Sequence, residues 1–229
     1  MSPMFRRKRR RDSGMAAVRI HEFGGLDELH LERVPVPQPG HDEVLIHVAS
    51  IGINPLDCRV RRGELFAESL TPLPAVLGWE VSGTVAAVGA RITSPAVGDE
   101  VFGLVNYPGP AGAYAEYVST PAAALLQKPP GLSHVDAAAL PLSGLSAWQS
   151  LFEAGKATSG HRLMVHGAAG GVGHIAVQLA KWKGATVVAS ASARNLEYLS
   201  GIGADEVVDY SAERAFENLN WVDLIIDTG

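Results

Sequence analysis

A glycine-rich turn set between an apolar run and an amphipathic helical stretch constrains this chain more than any other feature. The turn reads His166-Gly-Ala-Ala-Gly-Gly-Val-Gly173, with glycines at 167, 170, 171 and 173. Leu163-Met-Val165 leads into it as a short strand. Val172, Ile175, Ala176, Leu179 and Ala180 follow at the spacing of one helix face. Strand, glycine turn and helix together make a pyrophosphate cradle. Missing Cβ atoms let backbone approach the phosphates, and a helix N-terminus offers unsatisfied N–H groups at the positive end of its dipole. The cradle residues are therefore Gly167, Ala168, Ala169, Gly170, Gly171, Val172 and Gly173. Ala168 takes the place of the first glycine of G-x-G-x-x-G, so the motif is a variant.

The surrounding unit repeats the alternation. Gly184-Ala185 turns into the apolar run Thr186-Val-Val-Ala189, and a helical stretch spans about Asn195 to Ile202. A third strand is expected at Glu206-Val-Val208, before Asp209-Tyr210, and a fourth from Trp221 to Asp227. Strands alternating with helices predict a parallel, doubly wound α/β sheet of the Rossmann type. The loop after the second strand, Ser190-Ala-Ser-Ala-Arg-Asn195, has no acid before Glu197. A carboxylate there would grip a ribose 2′-hydroxyl. Ser190, Ser192, Arg194 and Tyr210 instead suit a 2′-phosphate, since guanidinium matches phosphate geometry. NADP(H) is the expected cofactor, and an Arg194 that merely points into water is the competing reading.

The texture before this unit is different. Short apolar runs at Val44-Leu-Ile-His-Val48, Val81 to Val88, Val101-Phe-Gly-Leu-Val105 and Ala115 to Val118 are separated by proline and glycine, as in Tyr107-Pro-Gly-Pro-Ala-Gly112. They predict a β-rich domain up to about Pro129-Pro-Gly131. Ser133-His-Val-Asp136 reads as a capping box opening a helix, and a second helical stretch runs from about Leu142 to Ala154.

These segments resemble the zinc-free quinone oxidoreductase and zeta-crystallin branch of the medium-chain dehydrogenases/reductases, from about Met15 to Gly229. The likeness is carried by Gly52-Ile-Asn-Pro-Leu-Asp57, Gly78-Trp-Glu80, Gly112-Ala-Tyr-Ala-Glu-Tyr117, Ala137 to Ser146, the glycine turn and Gly203-Ala-Asp-Glu-Val-Val-Asp-Tyr210. It implies a GroES-like catalytic domain over residues 15–130 and the first part of a Rossmann domain over 131–229. It also implies further strands and a returning catalytic segment that this sequence lacks. On that basis the polypeptide alone is expected to be weakly stable and poorly active, with a more intact adenine side. Zinc-dependent relatives place cysteine where this chain has Asn54 and histidine where it has Trp79. No histidine pairs with the single Cys58 at a ligand spacing, so no metal is expected.

Without metal, hydride transfer to a quinone or an α,β-unsaturated carbonyl needs a donor to the developing oxyanion. The resemblance places Asn54 beside the nicotinamide and Ser146 near the cofactor; Tyr107 is read either as lining the entrance, where it would stack on a flat substrate, or as an exposed loop aromatic. Asp57 and Glu80 read as structural supports. The sequence does not separate quinone, alkenal and enoyl-thioester substrates, and a non-catalytic NADPH-binding module is the alternative reading.

Composition agrees. The 47% hydrophobic content and 25 glycines suit a turn-rich α/β enzyme. One cysteine excludes an internal disulfide and fits a reducing, cytoplasmic setting. No apolar run reaches the roughly 18 residues of a membrane span. Residues 1–14 carry net +5 from Arg6 to Arg11, so the remainder, in a chain of total −5, carries −10. The tail is expected to be a disordered appendage, and the acidic body argues against a nucleic-acid partner. The expected partner is a small carbonyl or quinone, and the scaffold is compatible with a homo-oligomer.

Overall fold

The computed structural model describes residues 14–217 and 219–228, and the arginine cluster lies outside them. Two compact units meet in sequence between Pro141 and Leu142. The sequence texture changes earlier, at Pro129–Gly131. The helix that follows nevertheless packs on strands of the first unit and belongs with them.

The first unit contains β1 (Met15–Ile20), β2 (His30–Val34), β3 (Glu43–Gly52), α1 (Pro55–Arg61), β4 (Ala75–Val76), β5 (Glu80–Val88), β6 (Glu100–Leu104), β7 (Tyr117–Pro121), β8 (Leu125–Gln127) and α2 (His134–Ala138). A five-stranded sheet runs β7-β3-β5-β6-β8, and a three-stranded sheet runs β2-β1-β4. The described pairings in both are antiparallel. Val44, Ile46, Val81, Val85, Val101 and Val118 form one core, and β-branched side chains of this kind pack well on pleated surfaces. Of the predicted capping box the N-cap bond is present. Ser133 Oγ accepts from Asp136 N at 3.1 Å, starting α2 where it packs against β3 and β5.

The second unit contains α3 (Pro141–Trp148), whose first residue falls on the boundary, then β9 (Arg162–His166), α4 (Gly171–Trp182), β10 (Thr186–Ala191), α5 (Leu196–Gly201), β11 (Glu206–Asp209) and β12 (Leu224–Asp227). The sheet order is β11-β10-β9-β12, all parallel. This is the expected half of a doubly wound sheet. From β9 the chain steps outward to β10 and β11, then crosses back to β12 on the other side of β9. The reversal opens a crevice at the C-terminal end of β9, where such sheets bind ligands. Val165, Val187, Ala189, Ala176, Val177 and Ala180 fill the core between sheet and helix.

Two predicted elements differ in detail. The helical stretch to Ala154 is α-helical only to Trp148, and residues Gln149–Ala154 continue as a π-helical turn. Strand β12 begins at Leu224 rather than Trp221, which is 72% exposed and has no sheet partner among the described pairings.

Candidate functional site

The glycine turn sits at the C-terminal end of β9, and backbone hydrogen bonds fix its course. Gly167 adopts φ +69, which glycine tolerates. Gly170 N donates to Gly167 O at 2.9 Å, and Ala168 N donates to Ser190 O at 2.9 Å. Ala168 is fully buried, so a small side chain is accommodated where the usual motif has glycine. Gly170 is the N-cap of α4, and no side chain caps that end. The first N–H groups of the helix therefore face outward without intrahelical acceptors, at the positive end of its dipole.

A Cβ on Gly173 would lie 2.6 Å from Gly167 O and 2.7 Å from Ala168 Cα, so this glycine lets α4 close onto the turn. At Gly171 an added Cβ would meet, among the described residues outside its own helix, only Ser143 Oγ at 3.2 Å, leaving open space of the kind a phosphate needs. These residues fit a dinucleotide pyrophosphate. Ala169 and Val172 pack partly against the core beneath.

The residues expected on the adenine side lie along β10 and just after the ends of β10 and β11. Ser192 precedes a 3₁₀ turn, Ala193–Asn195, that leaves Arg194 exposed. Among the described residues no carboxylate pairs with Arg194. Asp209 accepts from Ser211 and from the backbone of Ala193, which pins the loop to β11 and holds its carboxyl below the usual carboxylate range. Tyr210 is half exposed and lies 5.6 Å, centroid to centroid, from the His166 ring. Ser190 differs from the others. It is fully buried, and its Oγ pairs with His166 Nδ1 at 2.8 Å, so it points under the site instead of into it.

Thr228 is a contributor the sequence reading missed. Its Oγ1 donates to His166 O at 2.8 Å and lies 3.2 Å from Gly167 O, tying the end of β12 to the turn. The only local signal was a hydroxyl residue directly after a strand.

In the first unit, Asn54 caps α1 from the end of β3. Its backbone N donates to Asp57 Oδ2 at 2.6 Å, and its side-chain amide donates to Glu80 Oε2 at 2.5 Å. Gly52 makes the second contact feasible. It stands opposite Glu80 in the sheet register, and a Cβ there would sit 2.1 Å from Glu80 Oε2. Tyr107 is partly exposed and packs edge-on against Phe66 and buried Trp79, at 5.5 and 6.4 Å between centroids. The Trp79 indole donates to Gly109 O at 3.1 Å. Asn54, Glu80, Trp79 and Tyr107 thus belong to one unit, while Ser146, on α3, and the cradle belong to the other.

Asp57 and Glu80 are buried carboxylates that support Asn54. Burial pushes the Asp57 carboxyl above the ordinary range despite the hydrogen bonds from Asn54 and Tyr114, and the nearby Glu80 charge adds to the rise. Among the described residues Asp57 Oδ1 has no hydrogen-bond partner of normal geometry. Burial also raises the Tyr114 hydroxyl well above its ordinary value. A carboxyl whose folded pKa is raised contributes stability fully below its unfolded pKa, and loses it as pH rises through the folded value. Asp57→Asn should therefore gain stability relative to the parent as pH rises from the ordinary carboxylate range towards neutrality. Urea melts at both ends of that window check it, and a constant difference would show that Asp57 does not titrate there.

Comparison with known proteins places both units. Residues 40–130 match the alcohol dehydrogenase GroES-like domain family, and residues 171–228 match the zinc-binding dehydrogenase family. The chain is 39% identical over 215 residues to a tomato (Solanum lycopersicum) 2-methylene-furan-3-one reductase, covering 90% of this chain and 55% of that protein. It is 35% identical to an NADPH-dependent alkenal/one oxidoreductase, chloroplastic, of Arabidopsis thaliana, covering 93% of this chain and 57% of the relative. The solved quinone oxidoreductase of Coxiella burnetii superposes with TM-score 0.87 at 36% identity, over 93% of this chain and 68% of that one. The chain thus spans little more than half the length of these curated relatives.

Proposed function

The chain belongs to the medium-chain dehydrogenase/reductase superfamily, and from that premise we propose that it works as an NADPH-dependent, zinc-independent reductase of quinones or α,β-unsaturated carbonyls. The observation that carries the reading is the Asn54 amide held on buried Glu80. One N–H is fixed by the carboxylate, which orients the other as a donor for an oxyanion. Bound NADPH would supply the hydride. Asn54 would then stabilise the substrate oxygen as negative charge develops, and Tyr107 would offer a ring for a flat substrate to stack on. Ser146 is proposed as a cofactor-side contact.

Zinc independence is supported by what the side chains already do. Trp79 is committed to Gly109, and Glu80 is committed to Asn54. Among the described residues no group of three His, Cys, Asp or Glu side chains is arranged to hold a metal ion. No described helix is long and apolar enough to cross a membrane. The lone Cys58 thiol supports a reducing, cytoplasmic setting.

The direct test is a screen of quinones, enals and enones against the full chain, following loss of the nicotinamide absorbance. Flat traces with NADPH bound by fluorescence would favour the non-catalytic alternative. Retention of NADPH oxidation after exhaustive chelation tests zinc independence.

Cofactor choice rests on Ser192, Arg194 and Tyr210, with Ser190 bonded to the His166 ring that lies against Tyr210. Arg194→Ala should weaken NADPH binding about tenfold to a hundredfold, the scale of a charge-assisted hydrogen bond. NADH binding should hardly change. Equal losses for both would show that Arg194 supports the loop rather than the phosphate.

A further inference from the structure

A second hollow, of about 320 Å³, lies on the second unit, away from the glycine turn. Its lining is unusual for a solvent-facing surface. Trp148, Phe152 and Trp182 converge there, with centroid separations of 4.7, 6.3 and 6.4 Å. Trp182 is 70% exposed and Trp148 is 43% exposed, although rings of this size are normally buried. The rings touch one another too closely to admit a third between them. An aromatic ligand would instead lie on their open faces.

The rim is cationic. Lys183 Nζ stands 5.9 Å from the Phe152 ring centroid, and Lys156 also lines the hollow. Among the described residues neither lysine has a carboxylate partner. Glu153, the acid nearest in sequence, is not in the lining.

The backbone adds an independent sign. After the π-helical turn, Ala157 N donates to Leu151 O at 2.8 Å, and Lys156 adopts φ +51. That is the left-handed position closing a helix, normally filled by glycine or asparagine. The cap explains the conformation but not a lysine in it, and a strained non-glycine residue at a concave surface points toward a ligand. Both lysines follow helix C-termini, each bearing about half a negative charge, so the rim is left near +1 overall. That balance suits a single anionic group.

We propose that this hollow binds a small planar aromatic monoanion, an aryl carboxylate or sulfonate, separate from the dinucleotide cradle. The ring system stacks on Trp182 and Trp148, and Lys156 and Lys183 hold the acid group. Concave sites of a few hundred cubic ångströms, mostly apolar with a few convergent polar groups, are where small ligands bind.

The test titrates the full chain with 2-naphthoate and with the uncharged 2-naphthalenemethanol, reading tryptophan fluorescence with and without saturating NADPH. Saturable quenching by naphthoate that NADPH does not displace is expected. Trp182→Ala should weaken it about tenfold or more, the scale of a lost stacking platform. Lys156→Gly should weaken naphthoate about fivefold while sparing the alcohol, as a rim charge does. Because glycine suits the left-handed position, that variant should melt no lower than the parent, which separates lost binding from lost folding. The proposal is overturned by absence of saturation, by displacement with NADPH, by equal binding of acid and alcohol, or by self-association through Trp182 in sedimentation.

Discussion

Gly173→Val should abolish dinucleotide binding and destabilise the second unit, whereas Gly171→Ala should impair binding alone. The contrast follows from what each new Cβ would meet. At position 173 the obstacles are Gly167 O at 2.6 Å, Ala168 Cα at 2.7 Å and Ala168 C at 2.9 Å, all backbone. None can step aside, so α4 must move off β9. Overpacking of that kind costs about 1–3 kcal/mol, and a branched side chain falls at the upper end. The helix N-terminus is then displaced from the place where phosphate would lie, and NADPH affinity should fall at least about a hundredfold, close to the loss of an anion site. At position 171 the one contact outside its own helix, among the described residues, is the movable Ser143 Oγ, and alanine is a better helix former than glycine. Thermal melts paired with NADPH fluorescence titrations separate the two. Normal NADPH affinity in Gly171→Ala would show that the phosphates lie elsewhere.

Asn54→Ala should lower the maximal rate about a hundredfold to a thousandfold, the scale seen when an oxyanion donor is removed. NADPH affinity should stay within about twofold, because the donor matters most as charge develops. Glu80→Gln keeps the volume but removes the carboxylate that fixes the amide, and should give a smaller loss in the same kinetic constant. The double variant should be little worse than Asn54→Ala, since residues acting as one unit are not additive. Steady-state kinetics with the best substrate from the screen read all three. Unchanged turnover in Asn54→Ala would remove it from the mechanism, and full additivity would detach Glu80 from it.

What the sequence disclosed was local. The glycine turn, the 3.6-residue spacing from Val172 to Ala180 and the apolar runs Leu163–Val165 and Thr186–Ala189 each specify their own conformation, and their alternation leaves few sheet orders open. The Ser133 cap on Asp136 N was legible for the same reason, because both partners lie within one helical turn. Relations across the chain were not. That Gly52 faces Glu80, and so admits its carboxylate to Asn54, depends on the register of β3 against β5, which no short window encodes. Thr228 reaches His166 from a distant strand. Ser190 stood beside Ser192 as a phosphate ligand because a loop reading treats its hydroxyls alike. In the folded chain β10 extends through Ala191, and Ser190 is drawn inside. The end of the α-helix at Trp148 also escaped notice, since the hydrophobic pattern runs on through the π-helical turn.

The Thr228 link has a consequence for how the protein is made. Synthesis delivers β9 and the glycine turn early, but their fastening arrives on β12, after β10, α5 and β11 have been translated. Until then the carbonyls of His166 and Gly167 lack that clasp, and β9 has a bare flank. The strand side of the turn is therefore completed only when the crossover strand docks. On the proposed reading of the turn as a coenzyme cradle, the order of translation would make the last strand delivered the one that finishes the cradle.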